Sequence, residues 1–141
     1  MSAVPLKAWI WLALLLLPTA ACGGGGTLST KAFQNQAKSL QSLAAEGALV
    51  ADGTAEGRTT ETFVSVHTEY LRKAATKVET KLGSARASGG LEDKRKSALR
   101  LAGRITDGLE RLHRAPDDPM LAARVASELR DEADAAEMLA K

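Results

Sequence analysis

Hydrophobic residues recur along this chain in two different patterns. Near the start lies an uninterrupted apolar run from Ala8 to Leu17. From residue 28 onward the apolar positions instead fall three and four apart, as they do on one face of an α-helix. The first such stripe is Phe33, Ala37, Leu40, Ala44 and Val50, and the second is Val64, Leu71, Ala74, Val78 and Leu82. A third runs through Leu91, Ala98, Leu101, Ile105, Leu109 and Leu112, and a fourth through Leu121, Val125, Leu129, Ala133, Ala136 and Ala140. Helix breakers separate them: Gly53 to Gly57 followed by Thr59 and Thr60, then Gly83 with Gly89-Gly90, then Ala115-Pro116-Asp117-Asp118-Pro119. Asp118 suits an N-cap with Pro119 at the first helical position. The pattern predicts helices over about 28–52, 59–83, 91–114 and 118–140. Loops this short make consecutive helices antiparallel, so the expected fold is all-α, an up-down-up-down four-helix bundle roughly 35 Å long. No internal repeat is present.

The apolar run near the start has a different meaning. It spans about ten residues, whereas a helix needs roughly 20 to cross the hydrocarbon core of a bilayer. Lys7 precedes it and the small residues Thr19-Ala20-Ala21 close it, which is the anatomy of an export signal. The expected organisation is therefore a signal peptide over 1–21, a tether over 22–27 and the bundle over 28–141. Gly23 to Gly26 span at most about 14 Å fully extended, so the bundle is expected close to whatever holds Cys22.

The junction Thr19-Ala20-Ala21-Cys22-Gly23 resembles the lipobox of bacterial lipoproteins. The resemblance covers only the leader and this junction, and Thr19 stands where Leu or Val is usual. It implies cleavage between Ala21 and Cys22, a diacylglycerol on the Cys22 thiol and frequently an acyl chain on the new amino terminus. It also implies attachment to a cell membrane or outer membrane on the extracytoplasmic side. Gly23 is not the Asp that in this class commonly signals inner-membrane retention. Ordinary secretion is the alternative, because Thr19-Ala20-Ala21 also fits loosely the small-x-small site of a non-lipoprotein signal peptide. Cys22 is the only cysteine, so there is no intramolecular disulfide and no Cys-based zinc motif.

Composition sharpens the bundle. Aromatic residues make up only 4% of the chain, so its core must rest on close backbone approach by alanines and leucines. Gly47, Gly103 and Gly108 are expected at tight helix contacts. The net charge of +2 is too small and too mixed for a nucleic-acid partner. Folded antiparallel, however, the chain polarises: the half nearest Cys22 nets about +6 and the far half about −5. Lys73, Lys77, Lys81, Arg86, Lys94, Arg95 and Lys96 form a basic end expected to face the membrane, with each cation near an anionic surface contributing on the order of 1 kcal/mol. The competing expectation is internal pairing of basic helix 3 with acidic helix 4, Arg104 level with Glu128 and Arg100 level with Glu132.

Candidate chemistry is sparse. His67 falls on the second stripe with Asp107 at about its level, a pair that would suit acid/base work, although a hydrogen-bonded core or boundary histidine is the stronger expectation. His113, about 9 Å along the axis, is poorly placed to share a metal with it and suits a helix C-terminus. Met120 and Met138 are expected in the core. No CxxCH, GxSxG, SxxK or P-loop occurs. The expected function is a non-enzymatic, membrane-anchored envelope module with an envelope protein as partner and no cofactor. The alternative is a small-ligand, haem or metal-binding bundle using His67.

Overall fold

In the computed structural model, residues 26–141 are described; the leader, Ala21 and Cys22 lie outside the described residues. Four helices follow one another: α1 (Thr30–Ala55), α2 (Glu61–Ser84), α3 (Gly90–Arg114) and α4 (Pro119–Ala140). The protein is an all-α four-helix bundle, with boundaries within about three residues of those the periodicity predicts. None of these helices is long and apolar enough to cross a membrane.

Each helix begins where a side chain or a special backbone satisfies its free N–H groups. Ser29 Oγ accepts from Ala32 N–H at 3.2 Å, Thr60 Oγ1 from Phe63 N–H at 3.2 Å, and Asp118 Oδ1 from Met120 and Leu121 N–H at 3.0 and 2.9 Å. Gly89, at φ +60°, turns the chain into α3 without a side-chain cap, and Glu92 and Asp93 in the first turn offset the helix dipole there. The end of α1 is a Schellman closure. Gly57 takes φ +67° and donates to Thr54 C=O, while Arg58 N–H reaches back to Gly53 C=O at 2.7 Å. At the end of α2 the last carbonyls get help from outside: Arg95 Nη1 on α3 donates to Leu82 C=O at 3.0 Å.

Side-chain pairs give the direction of each neighbour. As α2 runs forward its partners on α3 run back: Ser65 and Thr68 meet His113, Arg72 meets Glu110, and Leu82 meets Arg95. The same reversal relates α3 to α4, where Arg104 and Arg111 meet Glu132 and Glu128. This is one helical turn away from the register expected for Arg104, and it leaves Arg100 paired with Ser97 instead of Glu132. The register follows the packing of Gly108 against Leu129, and the two arginines then pair bidentately with the glutamates brought opposite them.

The bundle is not square in section. α1 packs most extensively on α4 and α2 on α3, α1 also touches α3, and the backbones of α2 and α4 do not approach. The α1–α4 seam is made of small residues, with Ala37, Ala44, Ala48 and Ala51 facing Ala122, Ala126 and Ala136, all buried. Gly47 permits the α1–α3 contact: a Cβ there would lie 2.9 Å from Leu109 Cδ2 and 3.0 Å from Leu129 Cδ1. At Gly108 the approach is looser, since a Cβ there would meet Leu129 Cδ2 at 3.4 Å, an ordinary contact. Gly103, expected to do the same, faces open space.

The large core residues are Phe33, Leu40, Leu71, Leu82, Leu101, Ile105, Leu109, Leu112 and Leu129. On α2 the buried positions are Val64, Thr68, Leu71, Ala75, Val78 and Leu82, so Ala75 takes the inward place expected for Ala74. Met120 and Met138 are exposed instead of buried, because the alanines of α4 already fill its seam with α1. All four helices and the whole described core lie after residue 29.

Before α1 the chain is tied down. Leu28 N–H donates to Arg86 C=O at 2.8 Å and Arg86 N–H to Gly26 C=O at 3.2 Å, a single parallel bridge. The start of the bundle is thereby stitched to the α2–α3 loop.

Candidate interaction face

His67 does not pair with Asp107. Thr68, its neighbour, takes the inward position on α2 and returns its hydroxyl to Val64 C=O at 2.7 Å. A helix turns about 100° per residue, so His67 is carried to the rim facing α1. There its Nε2 lies 2.7 Å from Glu46 Oε1, with about 30% of the side chain exposed. Asp107 belongs to a different groove between α3 and α4, lined by Arg104, Arg111, Glu128 and Glu132. The expected acid/base pair is therefore taken apart. His113 turns inward from α3, with Nδ1 3.1 Å from Ser65 C=O and 3.3 Å from Thr68 Oγ1, which ties α3 to α2. No group of three His, Cys, Asp or Glu side chains among the described residues is arranged to hold a metal ion.

The arrangement around His67 is notable for its apolar side chains. Phe63 stacks on the imidazole, with ring centroids 5.2 Å apart and planes 13° from parallel, and Tyr70 lies on the other side at 6.3 Å. Phe63, Val66 and Tyr70 remain 47%, 68% and 64% exposed, and Leu49 on α1 is 72% exposed. Their spacing is helical. Phe63, Val66, His67 and Tyr70 form an i, i+3, i+4, i+7 stripe on the outer side of α2, separate from the core stripe of Val64, Thr68 and Leu71. A groove of about 480 Å³ runs between Phe63 and His67 of this stripe and α1, over Leu49, Val50 and Gly53 and rimmed by the charged Glu46, Asp52, Glu56 and Arg58, while Val66 and Tyr70 line a separate groove toward His113 of α3. One helix thus carries two apolar faces, and only one has a partner within the bundle. Two of the three phenylalanine and tyrosine residues in the chain stand on the exposed one. Their spacing was present in the sequence, but the stronger core stripe beside them draws attention first.

Below Tyr70 the same outer line of α2 continues as Lys73, Lys77 and Lys81. The seven residues expected at the basic end divide into two groups. Lys73 bonds Glu69 at 3.2 Å, Arg95 pairs with Glu92 while capping Leu82, and Lys96 lies 3.8 Å from Glu92. Lys77, Lys81, Arg86 and Lys94 have no carboxylate partner among the described residues and are exposed. Arg95 near the start of α3 is thus explained by capping and pairing, which offset its clash with the helix dipole.

Three carboxylates are held below the ordinary glutamate value of 4.5: Glu69 by hydrogen bonds from Arg72 and then Lys73, Glu92 by the hydrogen bond from Arg95, and Glu128 by that from Arg111. A depressed folded-state value contributes stability that is present above the unfolded value and is lost as pH falls through the folded one. Thermal stability of the mature domain is therefore expected to hold from pH 7 to about 5 and to decline below about 4.5. Exposure and salt screening keep the effect small, and melting curves that rose on acidification would contradict it.

The architecture places this molecule among the all-α four-helix bundles. Comparison with known proteins goes no further: no family model, curated protein or solved structure matches the chain.

Proposed function

We propose that the chain is an exported lipoprotein, held by a lipid on Cys22 to the extracytoplasmic side of a cell membrane or outer membrane. In this proposal its bundle binds or positions another component of the cell envelope and does no chemistry of its own. The lipobox-like junction Thr19-Ala20-Ala21-Cys22-Gly23 supports the anchoring. The observation that carries the binding role is the second apolar stripe on α2, Phe63, Val66 and Tyr70 with Leu49 beside it. Anchors at i, i+3 and i+7 beside a groove are what an amphipathic partner helix uses, and aromatic residues contribute disproportionately at such contacts. The stripe occupies the half of α2 remote from the α2–α3 loop, and hence from the point where the tether joins the bundle.

Fractionation and crosslinking in the native cells test both halves together. Cys22→Ser is expected to move the protein from the salt-washed membrane fraction to the soluble fraction or medium. Val66→Glu with Tyr70→Glu is expected to leave it membrane-bound and folded but to remove the crosslinked product of the parent chain. Retention of the Cys22→Ser protein, with its leader removed, in salt-washed membranes would overturn the anchoring, and unchanged crosslinks in the double variant would overturn the role of the stripe.

A further inference from the structure

The end of the bundle where the tether joins has a shape that sequence reading does not show. With Arg104 opposite Glu132 and Gly108 against Leu129, the last helical residue of α4, Ala140, comes level with about Lys96 of α3. The stretch Gly90–Arg95 of α3, the α2–α3 loop and the start of α1 run on past the end of α4, while α2 ends about level with it. The overhang is about six residues of α3, or roughly 9 Å at 1.5 Å per residue. The acidic residues of α4, Asp131, Glu132, Asp134 and Glu137, are therefore set back from the tip. That distance is comparable to the roughly 8 Å over which charge is screened at physiological ionic strength, so these acids do little to cancel a field at the tip.

The tip itself carries Lys31, Lys81, Arg86 and Lys94, all exposed and without a carboxylate partner among the described residues, with Lys77 on its flank. The acids beside them are Glu79, Asp93 and Glu92, and Glu92 is already engaged by Arg95. Basic charge is in excess. Arg86, in the α2–α3 loop, is also the residue whose backbone holds Gly26 and Leu28, so the first described residues of the chain lie beside the cationic tip.

We infer that this tip, Lys31, Lys81, Arg86 and Lys94 with Lys77 beside it, is a docking surface for anionic lipid headgroups, and that it lies flat on the bilayer with α1 to α4 standing away from it. The partner is a lipid surface because the cations are spread over three helix ends and a loop without a pocket, an arrangement that matches a plane of charge and no single small anion. Docked this way, the Phe63-Val66-Tyr70 face is held off the membrane. The inference goes beyond the anchoring proposal and does not depend on it, since the charges act with or without a lipid on Cys22.

Vesicle sedimentation tests it with residues 22–141 carrying Cys22→Ser, which retain all four helices and carry no lipid. The domain is expected to bind phosphatidylcholine vesicles containing phosphatidylglycerol, to ignore pure phosphatidylcholine, and to be released by salt but not by millimolar inorganic phosphate. The four-fold variant Lys31→Gln, Lys81→Gln, Arg86→Gln and Lys94→Gln is expected to bind at least about 100-fold more weakly, at about fivefold per cation. Neutralising Lys73 and Lys96, which are paired internally, is expected to change binding by less than about fivefold. Should the four-fold variant not give the parent's circular dichroism spectrum, the four single variants are read instead, each expected to lose about fivefold. No binding to anionic vesicles, equal binding to neutral ones, displacement by inorganic phosphate, or insensitivity to the tip substitutions would overturn the inference. Because the probe has no lipid, each of these results is distinct from a failure of the Cys22→Ser fractionation.

Discussion

Leu109→Ala is expected to lower the stability of the bundle by about 3–4 kcal/mol, and with it the melting temperature by roughly 10–15 °C for a domain of this size. Leu109 is fully buried on α3, at a place where α1 and α4 are both within reach: its Cδ2 lies against Gly47, and Leu129 of α4 borders the same position. Truncation there removes side-chain atoms from the centre of the molecule. The remaining cavity has little means of collapsing. Its wall on one side is α1 and α4, the most closely associated helix pair, whose facing positions are rich in buried alanines with little side chain to move into the space. Leu91, at the end of the same helix and only partly buried, is expected to cost less than about half as much when truncated. Chemical denaturation followed by circular dichroism measures both, and a loss below about 1 kcal/mol at Leu109 would mean that the α1–α3 contact does not hold the bundle together.

Adding volume at the same point is the second large effect. Gly47→Ala has two opposing terms: it removes a helix-interior glycine, which favours the variant by about 1 kcal/mol, and it places a Cβ 2.9 Å from Leu109 Cδ2 and 3.0 Å from Leu129 Cδ1. The contacting atoms are the ends of leucine side chains, so a shift of a few tenths of an ångström accommodates the methyl and the terms nearly cancel. Gly47→Leu has no such escape. Its branch must enter space already occupied by two buried leucines, which pushes α1 off α3 and costs about 1–3 kcal/mol after the propensity gain. Gly103→Ala provides the contrast on α3. A Cβ there meets nothing, so this variant keeps the propensity gain and is expected to be more stable by up to about 1 kcal/mol. If Gly103→Ala and Gly47→Leu moved the denaturation midpoint in the same direction, the distinction between a contact glycine and an open one would fail.

These two positions also show how far the amino-acid pattern carries. Helix number, order and approximate bounds follow from residues near one another in the chain, from the three-and-four spacing of Leu, Val and Ala and from caps such as Asp118-Pro119. So does the antiparallel topology, because the connecting loops are short. Which of three helix-interior glycines lies at a contact is not a local property. It depends on rotation about the helix axis and on register, and both are determined when large residues such as Leu109 and Leu129 find space opposite small ones.

The candidate site illustrates the same limit. A stripe specifies which side of α2 turns inward only to within about one residue, roughly 100° of rotation. Thr68 takes the inward place, His67 is left at the rim with Glu46 where Asp107 was expected, and the neighbouring line of Phe63, Val66 and Tyr70 is left outside without a partner. In the basic end, count and location were readable from composition along the chain. Its division into Arg95 and Lys96 held by Glu92 and Lys81, Arg86 and Lys94 left open was not. Nor was the setback of α4, since a register shift of one turn moves a charge about 5 Å and decides what lies at a helix end. The sequence by itself determined four amphipathic helices, their alternation and a junction that resembles a lipobox, because these reside in nearest neighbours. Only the tertiary structure decided which faces are spent on the core and which remain for other molecules, because that choice is made by packing between residues far apart in the chain.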